Sequence, residues 1–231
     1  MLTSGYGLYM LFALPALLLG MWAQYKVKSS YEKYAKVPLR NGMTGSEVAR
    51  HILDDKGFQD VKVEETSGTL SDHYDPRTRT LKLSSGVFRS NSISAAGVAA
   101  HEAGHAIQHK EKYGPLNLRS IMVPSVQMGS WLGPILFFAG ILMSSDSLAI
   151  VGLLFFAATA VFAIVTVPVE LDASKRAKAI LASSGIAYNT EVAGVDQVLD
   201  AAALTYVAGA AQVLSTLLYY AFILLGNRRR S

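Results

Sequence analysis

The chain has 231 residues, of which 51 % are hydrophobic and only 16 % charged, and its formal net charge is +4. The length suits one ordinary domain, but the apolar share exceeds what a soluble domain of that size needs, so the surplus points to a bilayer. Zero cysteines exclude disulfides and thiolate metal ligands, and basic residues interleaved with acids, without an aromatic platform, speak against nucleic acid as a partner.

Four windows carry no Asp, Glu, Lys or Arg: residues 2–25, 121–145, 147–169 and 201–227. Each is long enough to cross about 30 Å of hydrocarbon as a helix. The first lacks the basic start and small-residue cleavage site of a secretory signal and is followed by Lys26, Lys28, Lys33 and Lys36, so it reads as a retained anchor with those lysines in the cytoplasm. Residues 26–120 then form a cytoplasmic catalytic segment, 121–169 a transmembrane hairpin with Asp146 in its outer turn, 170–200 a second cytoplasmic stretch, and 201–227 a last span. Arg228, Arg229 and Arg230 disagree with this arrangement, since a full last span puts them on the outer side.

Within the first polar segment, Pro38 and Asn41-Gly42 mark a linker, and Thr44-Gly45-Ser46-Glu47 is a capping-box pattern opening a short helix to Asp55, with Gly57 placed to stop it. His51 falls in that helix and reads as structural. Val61-Lys62-Val63-Glu64 and Thr80-Leu81-Lys82-Leu83-Ser84 alternate at the strand period, with a turn at Asp75-Pro76-Arg77-Thr78, which predicts a small sheet of two or three strands. Ser90-Asn91-Ser92 then offers caps for an Ala-rich helix over about residues 92–112, which ends near Gly114-Pro115.

That helix contains His101-Glu102-Ala103-Gly104-His105. Residues four apart lie one turn above each other, so His101 and His105 can present two imidazoles to one ion while Glu102 reaches a water on it. Two neutral imidazoles suit zinc, which acidifies its water so that Glu102 acts as general base and then protonates the leaving amine. A third protein ligand is required, and a pattern of two His and one carboxylate directs attention to Glu170, at the end of the third apolar window, with Asp172 as the alternative. His109, one turn further along, sits at the edge of the ligand face and reads as solvated or in contact with a ligand rather than as a ligand. His73, in a loop before the second strand, is a candidate for contact with a substrate carbonyl.

His101-Glu102-Ala103-Gly104-His105 followed by Glu170-Leu171-Asp172-Ala173-Ser174, with Ser71 to Arg77 and Gly97-Val98-Ala99-Ala100, resembles the YugP-like membrane zinc metallopeptidases over almost the whole chain. The wider group it is similar to is the gluzincins of the HtpX type, in which the glutamate of an E-x-x-A-D segment is the third zinc ligand. The resemblance places Glu170 there and Ala173 at the small residue. Ser174 departs from the pattern's Asp, so a hydrogen bond to the site must be weaker or come from elsewhere, Asp172 being one source. The resemblance also implies that the strand holding Leu81 and Leu83 is an edge strand that pairs with an extended substrate backbone.

The fold class expected is therefore a mainly α membrane protein, with about four transmembrane helices and a small cytoplasmic α+β zincin-like segment. The expected function is a membrane-anchored, zinc-dependent endopeptidase, with one Zn2+ per chain, in membrane protein quality control. Its substrates are proteins or peptides, its site faces the cytoplasm of a bacterial plasma membrane, and other membrane proteins are candidate partners. Two alternatives stand beside it: an intramembrane metalloprotease, which the charges around the motif disfavour, and a metal-binding membrane scaffold without turnover.

Overall fold

A computed structural model describes residues 5–188 and 190–228, so Arg229 and Arg230 lie outside the described residues. The fold is mainly helical. In chain order it has α1 (Gly5–Tyr34), α2 (Gly45–Asp55), β1 (Lys62–Thr66), β2 (His73–Asp75), β3 (Thr80–Ser84), α3 (Ser85–Phe88), α4 (Ile93–Lys110), α5 (Gly114–Leu142), α6 (Asp146–Ser183) and α7 (Thr190–Arg228). Four of the described helices are long and apolar enough to cross a membrane, over Gly7–Tyr34, Gly114–Leu142, Asp146–Ser183 and Thr190–Gly226.

The chain divides into two compact units. Among the described residues, one comprises those up to 23, 117–168 and those from 205 on, the apolar stretches of the four long helices. Phe137, Ala149, Phe156, Tyr220 and Leu224 form its buried cluster, in which Phe137 stacks on Tyr220 with ring centroids 4.5 Å apart. Glycines bring α5 and α6 together: a Cβ on Gly133 would lie 2.8 Å from the Phe156 nitrogen, so the two backbones touch there. Leu11, Leu14, Trp131, Ile135 and Leu154 face outward, as lipid-facing side chains do.

The other unit comprises residues 24–116 and 169–204. Its core packs α2 against α4 through Val48, Ala49, Ile52, Leu53, Ala99, Ala103 and Ala106, closed from the other side by Ala177, Leu181, Val195 and Leu199. Helix α2 starts with the capping box anticipated at Thr44: its side chain accepts from the Glu47 N–H, and the Glu47 carboxylate accepts from the Thr44 N–H at 2.8 Å. It ends before Gly57, whose φ of +73° is the left-handed conformation that glycine tolerates best.

The sheet has three strands in the order β1-β3-β2, with β3 parallel to β1 and antiparallel to β2. This corrects the expectation that the strand bearing Leu81 and Leu83 lies at an edge. It is central, its neighbours β1 and β2 occupy both sides, and both leucines are fully buried in the core. The edge nearest α4 is β2, three residues long, in a stretch where the sequence suggested only a loop; so short a strand shows no alternation to read.

Helix α5 begins at Gly114 rather than at the first uncharged residue, 121, since Pro115 is tolerated in a helix's first turn. Helix α6 runs unbroken through Pro168 to Ser183, so the apolar third window and Glu170 share one helix.

Candidate metal centre

Helix α4 is opened by Ser92, whose hydroxyl accepts from the Ala95 N–H at 3.2 Å. Its small residues let neighbours approach closely. At Gly104 a Cβ would lie 2.8 Å from the carbonyl oxygen of Ala173 and 3.3 Å from its Cα. The motif's glycine therefore seats α6 directly on α4, which brings the 170–174 turn beside the two histidines.

The His101 and His105 rings lie 4.8 Å apart, centroid to centroid, at 85° to each other. His101 Nε2 is 3.1 Å and His105 Nε2 3.4 Å from the same atom, Glu170 Oε2. Glu170 is almost fully buried, and one ligand atom from each of the three residues falls within 4.8 Å of the others. The far ring nitrogens are also engaged: His101 Nδ1 lies 3.1 Å from Ser174 Oγ, and His105 Nδ1 lies 3.0 Å from Gln108 Oε1.

Three electron-pair donors converging in a buried space require a positive charge among them, either protons on the imidazoles or a cation. Burial opposes a charged His105. The hydrogen bond to Glu170, the charges of Glu102 and Glu170 and the bond to Gln108 outweigh it and raise its pKa above the ordinary imidazole value. Two imidazole nitrogens and one carboxylate oxygen are a donor set that fits zinc, and the absence of thiolates leaves no softer competitor.

Glu102 follows His101 on the helix and is buried but for a small part of its surface. Among the described residues none hydrogen-bonds its carboxylate, which is therefore uncommitted. Asp172, the alternative ligand, is engaged elsewhere: its Oδ2 accepts from Gln108 at 2.8 Å and pairs with Arg176 Nε at 2.6 Å. His109 contacts the Tyr74 hydroxyl at 3.0 Å, and burial raises the Tyr74 pKa, keeping the phenol protonated. His73 is exposed on β2, with Nδ1 at 2.7 Å from the Ser71 carbonyl oxygen.

The structure thus gathers His101, His105, Glu170 and Ser174, and links Asp172 to them through Gln108. Leu81 and Leu83 are core residues, and neither His73 nor His109 bonds to a ligand candidate among the described residues. Sequence reasoning missed Gln108. The only signal was its spacing, three residues beyond His105 on a helical face.

Residues 9–225 match the family described as "Putative neutral zinc metallopeptidase". The chain is also 49 % identical over 221 residues to the "Putative membrane protease YugP" of Bacillus subtilis, covering 96 % of this chain and 98 % of that protein. No solved structure matches it.

Proposed function

Because the chain belongs to this neutral zinc metallopeptidase family, we propose that it is a membrane-anchored zinc endopeptidase related to the HtpX-type gluzincins. The observation that supports this reading is the approach of His101 Nε2 and His105 Nε2 to one buried oxygen of Glu170, beside an uncommitted Glu102. One zinc per chain, held by His101, His105 and Glu170, would supply Lewis acidity, acidifying a water and polarising an amide carbonyl. A carboxylate oxygen of Glu102 would take a proton from the attacking water and return it to the departing amine nitrogen. Ser174 and Gln108 hold the two imidazoles in place through their Nδ1 atoms.

The outer edge of β2, which pairs with no other strand among the described residues, replaces β3 as the element that pairs with a substrate backbone, since β2 carries Tyr74 against His109 of the motif helix. The substrates are unfolded, damaged or membrane-associated proteins, and the role is quality control in a bacterial plasma membrane. Residues 26–120 and 170–200 face the cytoplasm, where their lysines and arginines satisfy the positive-inside rule.

The test is metal content and hydrolysis in mild detergent without chelator. Wild type should carry about one zinc, and His105→Ala and Glu170→Ala should lose it. Glu102→Gln should keep zinc but cleave an unfolded protein substrate at least about 100-fold more slowly. Undiminished cleavage by Glu102→Gln would reject its role as base, and zinc retained by Glu170→Ala would move the third ligand elsewhere. Zinc without hydrolysis in wild type would favour the scaffold.

A further inference from the structure

Gln108 is completely buried, three residues past His105 on α4. A buried primary amide has one acceptor oxygen and two donor hydrogens, and each is costly to leave without a partner. Its nitrogen has two partners, the Val169 carbonyl oxygen and Asp172 Oδ2, both at 2.8 Å. Neither can donate: one is a backbone carbonyl, the other a carboxylate in an ion pair with Arg176, which also reaches Glu111 Oε2 at 2.6 Å. A flipped amide would aim its oxygen at two acceptors, so the amide has a single allowed orientation.

That orientation leaves the amide oxygen on His105 Nδ1, at 3.0 Å, and this nitrogen must then be the donor. A neutral ring with its proton on Nδ1 keeps its lone pair on Nε2, the atom that faces Glu170. His101 differs, because its Nδ1 meets the Ser174 hydroxyl, which can donate or accept and so imposes no tautomer.

We propose that Gln108 is a positioning residue: clamped by Asp172 and the Val169 carbonyl, it fixes the tautomer of His105 and reserves Nε2 for the metal. The proposal rests on the metal-site reading above. It gives Asp172 and Arg176 a task other than ligation, as the anchor that stops the amide from turning over.

The test compares zinc affinity, by competition with a chromophoric chelator, and the visible spectrum of the cobalt-loaded full-length protein. Gln108→Met keeps the length of the side chain but removes both donors and the amide oxygen, leaving only a weakly accepting thioether. It should weaken zinc binding about 10–100-fold and alter the cobalt spectrum, with thermal unfolding of the metal-free protein recorded as a control for packing. A second pair of variants tests the clamp itself: Asp172→Ala removes one acceptor from the amide nitrogen and should weaken zinc binding about 10-fold, whereas Asp172→Asn keeps an acceptor oxygen for both Gln108 and Arg176 and should bind zinc like wild type.

Unchanged affinity and spectrum in Gln108→Met would overturn the proposal while leaving the zinc site standing. If Gln108→Met fails to fold, the Asp172 pair decides: affinity lowered in Asp172→Ala and kept in Asp172→Asn supports the clamp, and any other pattern overturns it. A wild type that binds no zinc overturns the metal-site reading and this proposal together.

Discussion

A methyl group added at Gly104 would press on the Ala173 carbonyl and force α4 and α6 apart, because nothing flexible is there to give way. Gly104→Ala is therefore expected to cost about 1–3 kcal/mol of stability as an overpacked contact. The same displacement draws Glu170 from His101 and His105, so zinc affinity should fall with it. Thermal unfolding and zinc titration of the purified protein check both effects, and a variant that binds zinc like wild type would show that the close approach does not set the site. The spacing of His101, Glu102 and His105 made the motif legible, because helical geometry is local. What Gly104 does was not legible, since its neighbour lies 69 residues away on another helix. Gln108 was hidden for a similar reason: a lone glutamine is unremarkable until its partners Val169 and Asp172 are known. Ser174 could be recognised as a departure from a family pattern, but only the fold shows that its hydroxyl meets His101.

Elements marked by local chemistry were readable where their signals are self-contained. The capping box of α2 is one, and it carries a pH signature. Bonds from the Thr44 N–H and hydroxyl hold the Glu47 carboxyl below its ordinary pKa of 4.5. A depressed carboxyl stabilises the fold above its unfolded pKa, and that contribution is lost as pH falls through the lower folded value. The lead in melting temperature of wild type over Glu47→Ala should accordingly be present at neutral pH and shrink below pH 4.5. A gap that stays constant into acid would mean that the carboxylate's charge is not what the cap uses. Strand order was not readable in the same way. The alternation in Thr80–Ser84 identifies a strand, but both of its faces and both of its edges are covered, and three-residue β2 gives no pattern at all.

At the scale of the molecule, four uncharged windows sufficed to anticipate four long apolar helices, because hydrocarbon thickness fixes a length that composition can report. Where those helices begin and end was less clear, since α6 carries its helix past Pro168 into charged sequence that a hydropathy window ends at. Sidedness is testable directly, as the chain has no cysteine of its own. In intact cells, a membrane-impermeant maleimide should label Ser145→Cys, whereas Lys56→Cys should react only after permeabilisation. The opposite pattern would put the histidine motif on the outer face.

The edge of β2 is three residues long, and alternate residues of a strand turn their hydrogen-bonding groups to opposite sides. Such an edge offers a passing chain only one or two backbone bonds, each worth about 0.5–1.5 kcal/mol. Capture from free solution would be weak on those terms. A polypeptide tethered to the same lipid sheet escapes that limit, because confinement to two dimensions raises its local concentration without any further contact. On the proposed reading, the shortness of the strand would favour chains that already share the membrane over unfolded chains in free solution.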